Sequence, residues 1–170
     1  MFSDAGIIFA KKFYLKKFIF ILFLTTSIIS CAKIDLFEKQ VALPSQQWFY
    51  KNVPAFTFNI TDTSSFYNLY IILRHTDGYN YNNIWVQLGS KAPGDTMHFQ
   101  NINLELATDA NGWQGTGVDD IFEIRKNITP GPVPFKKPGE YSFSVSQIMR
   151  ENPLKHILNV GFRVEKVKSK

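Results

Sequence analysis

The stretch 140-EYSFSVS-146 sets Tyr141, Phe143 and Val145 on one side of an extended chain and three serines on the other. Shortly after it, 158-LNVGFRVEKV-167 repeats the pattern, with Leu158, Val160, Phe162 and Val164 against Asn159, Gly161, Arg163 and Glu165. Successive side chains of a strand point to opposite faces, so a period of two marks strands with one buried face. The intervening 147-QIMRENPL-154 reads as about a turn of helix ended at Pro153.

Working outward, the same period recurs at Phe56, Phe58 and Ile60, at Ile84, Val86 and Leu88, and at Ile102, Leu104 and Leu106. In 66-FYNLYIILRHT-76 both faces are partly apolar, which suits a central strand, and 84-IWVQLGS-90 reads as its hairpin partner across the loop 77-DGYNYNN-83. The segment 121-IFEIRKNI-128 fits a strand or a helical turn, and 129-TPGPVPFKKPG-139 has too many prolines for either. Roughly seven to nine short strands without a sustained helical stripe predict an all-β fold, a single antiparallel β-sandwich of jelly-roll or immunoglobulin-like type. The 16 Phe agree, because aromatic side chains favour half-buried pleated surfaces.

Ahead of the sandwich, Lys11, Lys12, Lys16 and Lys17 precede the uncharged run Phe18 to Ser30, which is shorter than the roughly 20 residues of a spanning helix. Ile28, Ile29 and Ser30 then lead into Cys31, the one cysteine of the chain, in an order that resembles the lipobox of bacterial lipoproteins. That resemblance implies diacylglycerol on the Cys31 thiol and cleavage just before it. Two or three acyl chains anchor firmly, since each buried methylene contributes about 0.8 kcal/mol. The expected organisation is a signal peptide at 1–30, a lipidated N-terminus and tether at 31–45 with an edge strand in 36-LFEKQVAL-43, and a sandwich domain at 46–170.

Loss of the signal removes four lysines and Asp4, leaving 15 basic and 13 acidic residues, a net +2 in place of +5. Nucleic-acid binding through a basic stripe is thereby disfavoured. His75, His98 and His156 fall in separate segments without metal-ligand spacing, and each reads as a surface residue. Glu105, Asp109, Asp119, Asp120 and Glu123 gather around 107-ATDANGWQGTGVDD-120, where a turn is favoured over a calcium loop because no EF-hand register fits. No nucleophile elbow or facing carboxylate pair is evident, so no enzyme, metal or cofactor is expected. The partner-binding candidates are Tyr79, Tyr81, Trp85 and Trp113, in or beside loops, with Arg74 and Arg150 as ion-pair partners within the fold or beyond it. The other reading, which is favoured, has Trp113 as a cap on the open end of the sandwich and the tyrosines packed along their loops.

The lipobox, Trp48 ahead of a Phe-x-Phe strand, 67-YNLYIILRHTDGYNYNNIWV-86, 112-GWQGTGVDD-120, 137-KPGEYSFSVSQIMRENPL-154 and 159-NVGFRVE-165 together resemble the gliding motility lipoprotein GldH family. The resemblance implies a noncatalytic, lipid-anchored protein of the cell envelope that supports surface gliding in Gram-negative bacteria, as an interaction module beside the type IX secretion machinery. It also implies the outer membrane, as does Ala32 in place of a retaining aspartate after the cysteine; because 31-CAKID-35 holds a lysine and one delayed aspartate instead of an acidic run, the periplasmic face is favoured over the cell surface. The alternative is a surface glycan-binding lipoprotein. Cys31→Ala is expected to leave a protein that no longer sediments with the outer membrane in mature, acylated form; normal acylation and fractionation of that variant would reject the lipobox.

Overall fold

The computed structural model describes residues 36–167; the signal sequence and Cys31 lie outside them. The strands are β1 Phe37–Ala42, β2 Gln47–Trp48, β3 Ala55–Ile60, β4 Phe66–Thr76, β5 Asn83–Lys91, β6 His98–Glu105, β7 Ala107–Thr108, β8 Gly112–Trp113, β9 Thr116–Val118, β10 Ile121–Asn127, β11 Val133–Pro134, β12 Gly139–Gln147, β13 Leu154–Lys155 and β14 Ile157–Lys166. One sheet runs β1-β14-β4-β10-β9 with β11 added on β4, and the other runs β3-β12-β5-β6. Every pairing among them is antiparallel.

The order of pairing settles the type of sandwich. β5 pairs β6, β4 pairs β10, β3 pairs β12 and β1 pairs β14, so the chain doubles back at the β5–β6 turn and the long hairpin wraps around itself. The wrap closes where β14 also pairs β4 and β12 also pairs β5. This is a jelly roll, and the immunoglobulin-like option drops out. The expected β4–β5 hairpin is also corrected, since the two strands lie in opposite sheets. Each presents one apolar face to the core from either sheet, so alternation alone does not choose its partner.

Phe143 of β12 and Phe162 of β14 meet across the two sheets with ring centroids 4.6 Å apart. Phe58 stacks on Phe143 at 5.7 Å and touches Phe37, whose strand β1 pairs with β14. The folded part therefore reaches back to Phe37, within the stretch assigned to the tether. In β14 a bulge between Ile157 and Asn159 shifts the register, so Ile157 is buried where Leu158 was expected. The ambiguous 121–127 segment is strand β10, and the proline-rich stretch still contributes the two-residue β11, paired with the start of β4. The expected helical turn after Gln147 is absent; that segment is a loop.

The outer face of the larger sheet is closed by charge. Arg163 binds Glu38 at 2.6 Å and Glu165 at 3.4 Å, Arg125 reaches Glu38 at 3.6 Å and Glu123 at 3.0 Å, and Arg74 lies 3.9 Å from Glu123. Gly161 lies under this lane: a Cβ there would come within 2.7 Å of Gln40 Cγ and 3.1 Å of Ile72 Cβ.

Phe162→Ala is expected to lower stability by about 3–5 kcal/mol, the usual result of opening a large cavity, whereas outward-facing Ser144→Ala should change it by less than about 0.5 kcal/mol. Denaturant titration of both variants checks this, and equal effects would refute the assignment of faces.

Candidate functional site

Four of the candidate residues, Tyr79, Tyr81, Trp85 and Arg150, lie at the end of the sandwich opposite the start of β1. There the β4–β5 loop, residues 77–82, meets the β12–β13 loop, residues 148–153. The first loop is anchored by Asp77 N–H on the Asp120 carbonyl, 2.8 Å, and Tyr79 N–H on the Thr76 carbonyl, 3.2 Å. Tyr79 is 4% exposed and its hydroxyl donates to the Asn83 carbonyl. It is therefore a buried prop and not the exposed anchor expected from its loop. Burial pushes its hydroxyl well above the ordinary tyrosine range. Tyr81 packs edge-on against it, 5.6 Å between centroids, and remains 38% exposed with its hydroxyl on Glu151.

The second loop is organised by Gln147, a residue the sequence reading passed over. Its amide is almost fully buried: Nε2 donates to the carbonyls of Trp48 and Glu151, and Oε1 accepts the Met149 N–H at 2.8 Å. A signal was present, because Gln147 continues the inward series Tyr141, Phe143, Val145, and a polar group at a core position needs partners. Tyr50 adds two bonds, from its hydroxyl to the Met149 carbonyl and from its N–H to Asn152 Oδ1.

Together these loops form a groove of about 290 Å³ lined by Tyr81, Trp85, Ile148, Met149 and Arg150. Trp85 stands on the outward face of β5, 43% exposed, and its carbonyl accepts the Ile148 N–H. Arg150 is exposed, and no carboxylate lies within ion-pair distance of it among the described residues. Three sequence candidates, Tyr81, Trp85 and Arg150, are thus brought together.

Trp113 and Arg74 lie elsewhere. Trp113 is half-buried over His75, 4.5 Å between rings, beside Tyr79 and Phe122. Arg74 lines a separate hollow of about 330 Å³ with Asp119, Asp120 and Glu123. His75, expected at the surface, is fully buried because it continues the inward face of β4 past Leu73. Its Nδ1 lies 2.8 Å from the Thr76 carbonyl, so the proton sits on Nδ1, and Nε2 has no hydrogen-bond partner. Among the described residues no group of three or more His, Cys, Asp or Glu side chains converges to hold a metal, and no helix is long and apolar enough to cross a membrane.

A family model described as GldH lipoprotein matches residues 35–164, most of the chain. The chain belongs to the GldH lipoprotein family. It is 28% identical over 145 residues to the gliding motility lipoprotein GldH of Flavobacterium johnsoniae, covering 81% of this chain and 89% of that one. It is 26% identical over 144 residues to a gliding motility lipoprotein GldH homolog of Christiangramia forsetii, covering 81% and 87%. Among solved structures, infectious bursal disease virus of the Gt strain aligns at TM-score 0.33 and 12% identity over 76% of this chain, which spans 30% of the viral one. The family match takes in the sandwich and both groove loops.

Burial lowers the proton affinity of His75 below the ordinary histidine value of 6.5, with the Thr76 carbonyl opposing the shift in part. The unfolded chain then takes up this proton more readily, so the stability contributed by neutral His75 is complete above pH 6.5 and declines as pH falls below it. Lys166 and nearby hydroxyls hold the Asp62 carboxyl well below its usual range, so that carboxylate stays charged in the same window. Thermal melts are expected to show a loss of stability on acidification through that window which His75→Phe reduces; an unchanged pH slope in the variant would sink this account.

Proposed function

We propose that the protein is a noncatalytic, lipid-anchored envelope module that supports gliding motility by docking a protein partner of the gliding apparatus. The observation that carries this is the groove, where exposed Tyr81, Trp85 and Ile148 lie beside half-buried Met149 and an Arg150 guanidinium that has no ion-pair partner among the described residues. Tyr, Trp and Arg are the residue types that dominate binding energy at protein interfaces, and methionine adapts its shape to a partner. Tyr79 and Gln147 hold the groove rigid from beneath, which lowers the ordering cost of association. The names of the Flavobacterium and Christiangramia relatives, both gliding motility lipoproteins, support the same setting.

On this proposal residues 1–30 are removed and Cys31 carries the lipid, in the outer membrane and facing the periplasm. Five residues then separate the anchor from Phe37, a reach of at most about 22 Å. The groove opens at the end of the sandwich away from Phe37, along strands that run roughly 30 Å. The partner is a protein presenting an apolar side chain beside a carboxylate, the first for Trp85 and Ile148, the second for Arg150.

A photocrosslinker at Tyr81 in living cells is expected to capture a discrete protein. Trp85→Ala together with Arg150→Glu should abolish that product and impair spreading on surfaces, with liquid growth and membrane fractionation unchanged. Trp85→Ala alone should weaken binding by about 2 kcal/mol or more if it is a hot spot. Normal spreading by the double variant would overturn the docking role.

A further inference from the structure

We propose that the outer face of the β3-β12-β5-β6 sheet binds an uncharged polysaccharide. This surface shares Trp85 with the rim of the groove, but the proposal does not rest on the groove's docking role. The cross-strand registers place Ala55, Ser144, Gly89 and Phe99 in one outward row. The next row is Ser146, Gln87 and Asn101, followed by Trp85 and Asn103. These rows contain no Asp, Glu, Lys or Arg; charge returns at the rims, with Lys91 and Glu140 on one side and Glu105, with Arg150 beside Trp85, on the other. The opposite outer face of the sandwich carries the connected ion pairs of Glu38, Arg74, Glu123, Arg125 and Arg163. The contrast in charge selects the ligand, because an ionic polymer would lose hydration on the neutral face without gaining a counter-charge.

What the face offers is suited to sugar hydroxyls and ring C–H groups. Asn83 Nδ2 donates to Asn103 Oδ1 at 2.8 Å, and Gln87 Nε2 to Asn101 Oδ1 at 3.3 Å. Each amide has capacity beyond the one bond it makes, so the pairs keep the amides in place while leaving N–H donors and carbonyl acceptors toward solvent. Two large aromatics stand among them, Trp85 at 43% exposure and Phe99 at 63%. Phe99 packs beside Gly89: a Cβ there would be 3.1 Å from Phe99 Cε1, 3.2 Å from Met97 Sδ and 2.4 Å from Ser144 Oγ. The glycine thus leaves room for the exposed Phe99 ring, an apolar surface against which the C–H face of a pyranose can pack. Beyond Phe99 the face ends in a hollow of about 490 Å³ lined by Thr57, Lys91, Met97, Glu140 and Ser142. From Trp85 to Lys91 along β5 is about 20 Å, so the track holds a short run of sugar units.

Isothermal calorimetry of the full-length protein in detergent would be run with neutral dextran, laminarin, xylan and mannan, and with anionic polygalacturonate. At least one neutral polymer is expected to bind, polygalacturonate is expected to fail, and the neutral binding should survive about 0.5 M NaCl, where exposed charges are screened. Phe99→Ala and Gln87→Lys should each weaken it at least about tenfold with unchanged melting temperature, while Arg150→Glu leaves it intact. The proposal is overturned if none of the four neutral polymers binds, if binding disappears with salt, or if both face variants bind like the parent protein. It is equally overturned if those face variants lose the Tyr81 crosslink to a protein partner, which would make the face part of the protein interface. Loss of the crosslink in Arg150→Glu alone, with glycan binding kept, separates the groove from the sheet.

Discussion

Everything in this fold leans on the stack that joins Phe143 to Phe162 between the sheets. The two strands that carry these rings come from the last third of the chain, yet they lie in opposite layers. Phe58 and Phe37 extend the stack toward the first strand, and Phe56 meets Phe162 from the other side. Aromatic rings bury large areas and also prefer particular offsets, so the cluster sets the spacing of the layers as well as driving their association. With its single cysteine lying outside the described sandwich, no disulfide shares that task, and the core alone must offset the entropy of ordering the chain.

The same core fixes where binding surfaces can form. Gln147 ends the inward series of β12 as a buried amide, and its three bonds turn the chain into the loop that carries Ile148, Met149 and Arg150. Tyr79 does the equivalent for the neighbouring loop and backs Tyr81. A surface built over satisfied buried polar groups is rigid for a physical reason: any displacement would strand a donor or acceptor away from water. Membership of the GldH lipoprotein family gives that rigid surface a setting at a membrane.

The two outer faces of the sandwich use opposite chemistry. One is sealed by arginines and glutamates bridging from β1 across to β10, and it has few unmet electrostatic demands. The other shows hydroxyls, amides and two exposed aromatic rings. Both arise from strand alternation, since the residues not used by the core are free to take either character.

Much of this was legible in the residues themselves. The period of two around Phe143 and Phe162 determined an all-β sandwich, and the segments from Trp48 to Glu165 determined the family resemblance. Alternation reports which face of a strand is buried but is blind to its neighbours, so the jelly-roll winding, the separation of β4 from β5 and the burial of Ile157 in place of Leu158 were decided by tertiary pairing. His75 and Tyr79 were misjudged for the same reason: what covers them, Trp113 and Phe122, arrives from sequence positions far away. The sequence by itself determined the period, the charge and the residue types at the surface; only the packing of two sheets decided which of Tyr79, Tyr81, Trp85, Trp113, Arg74 and Arg150 share a surface, because proximity between loops depends on strand pairing across the whole chain.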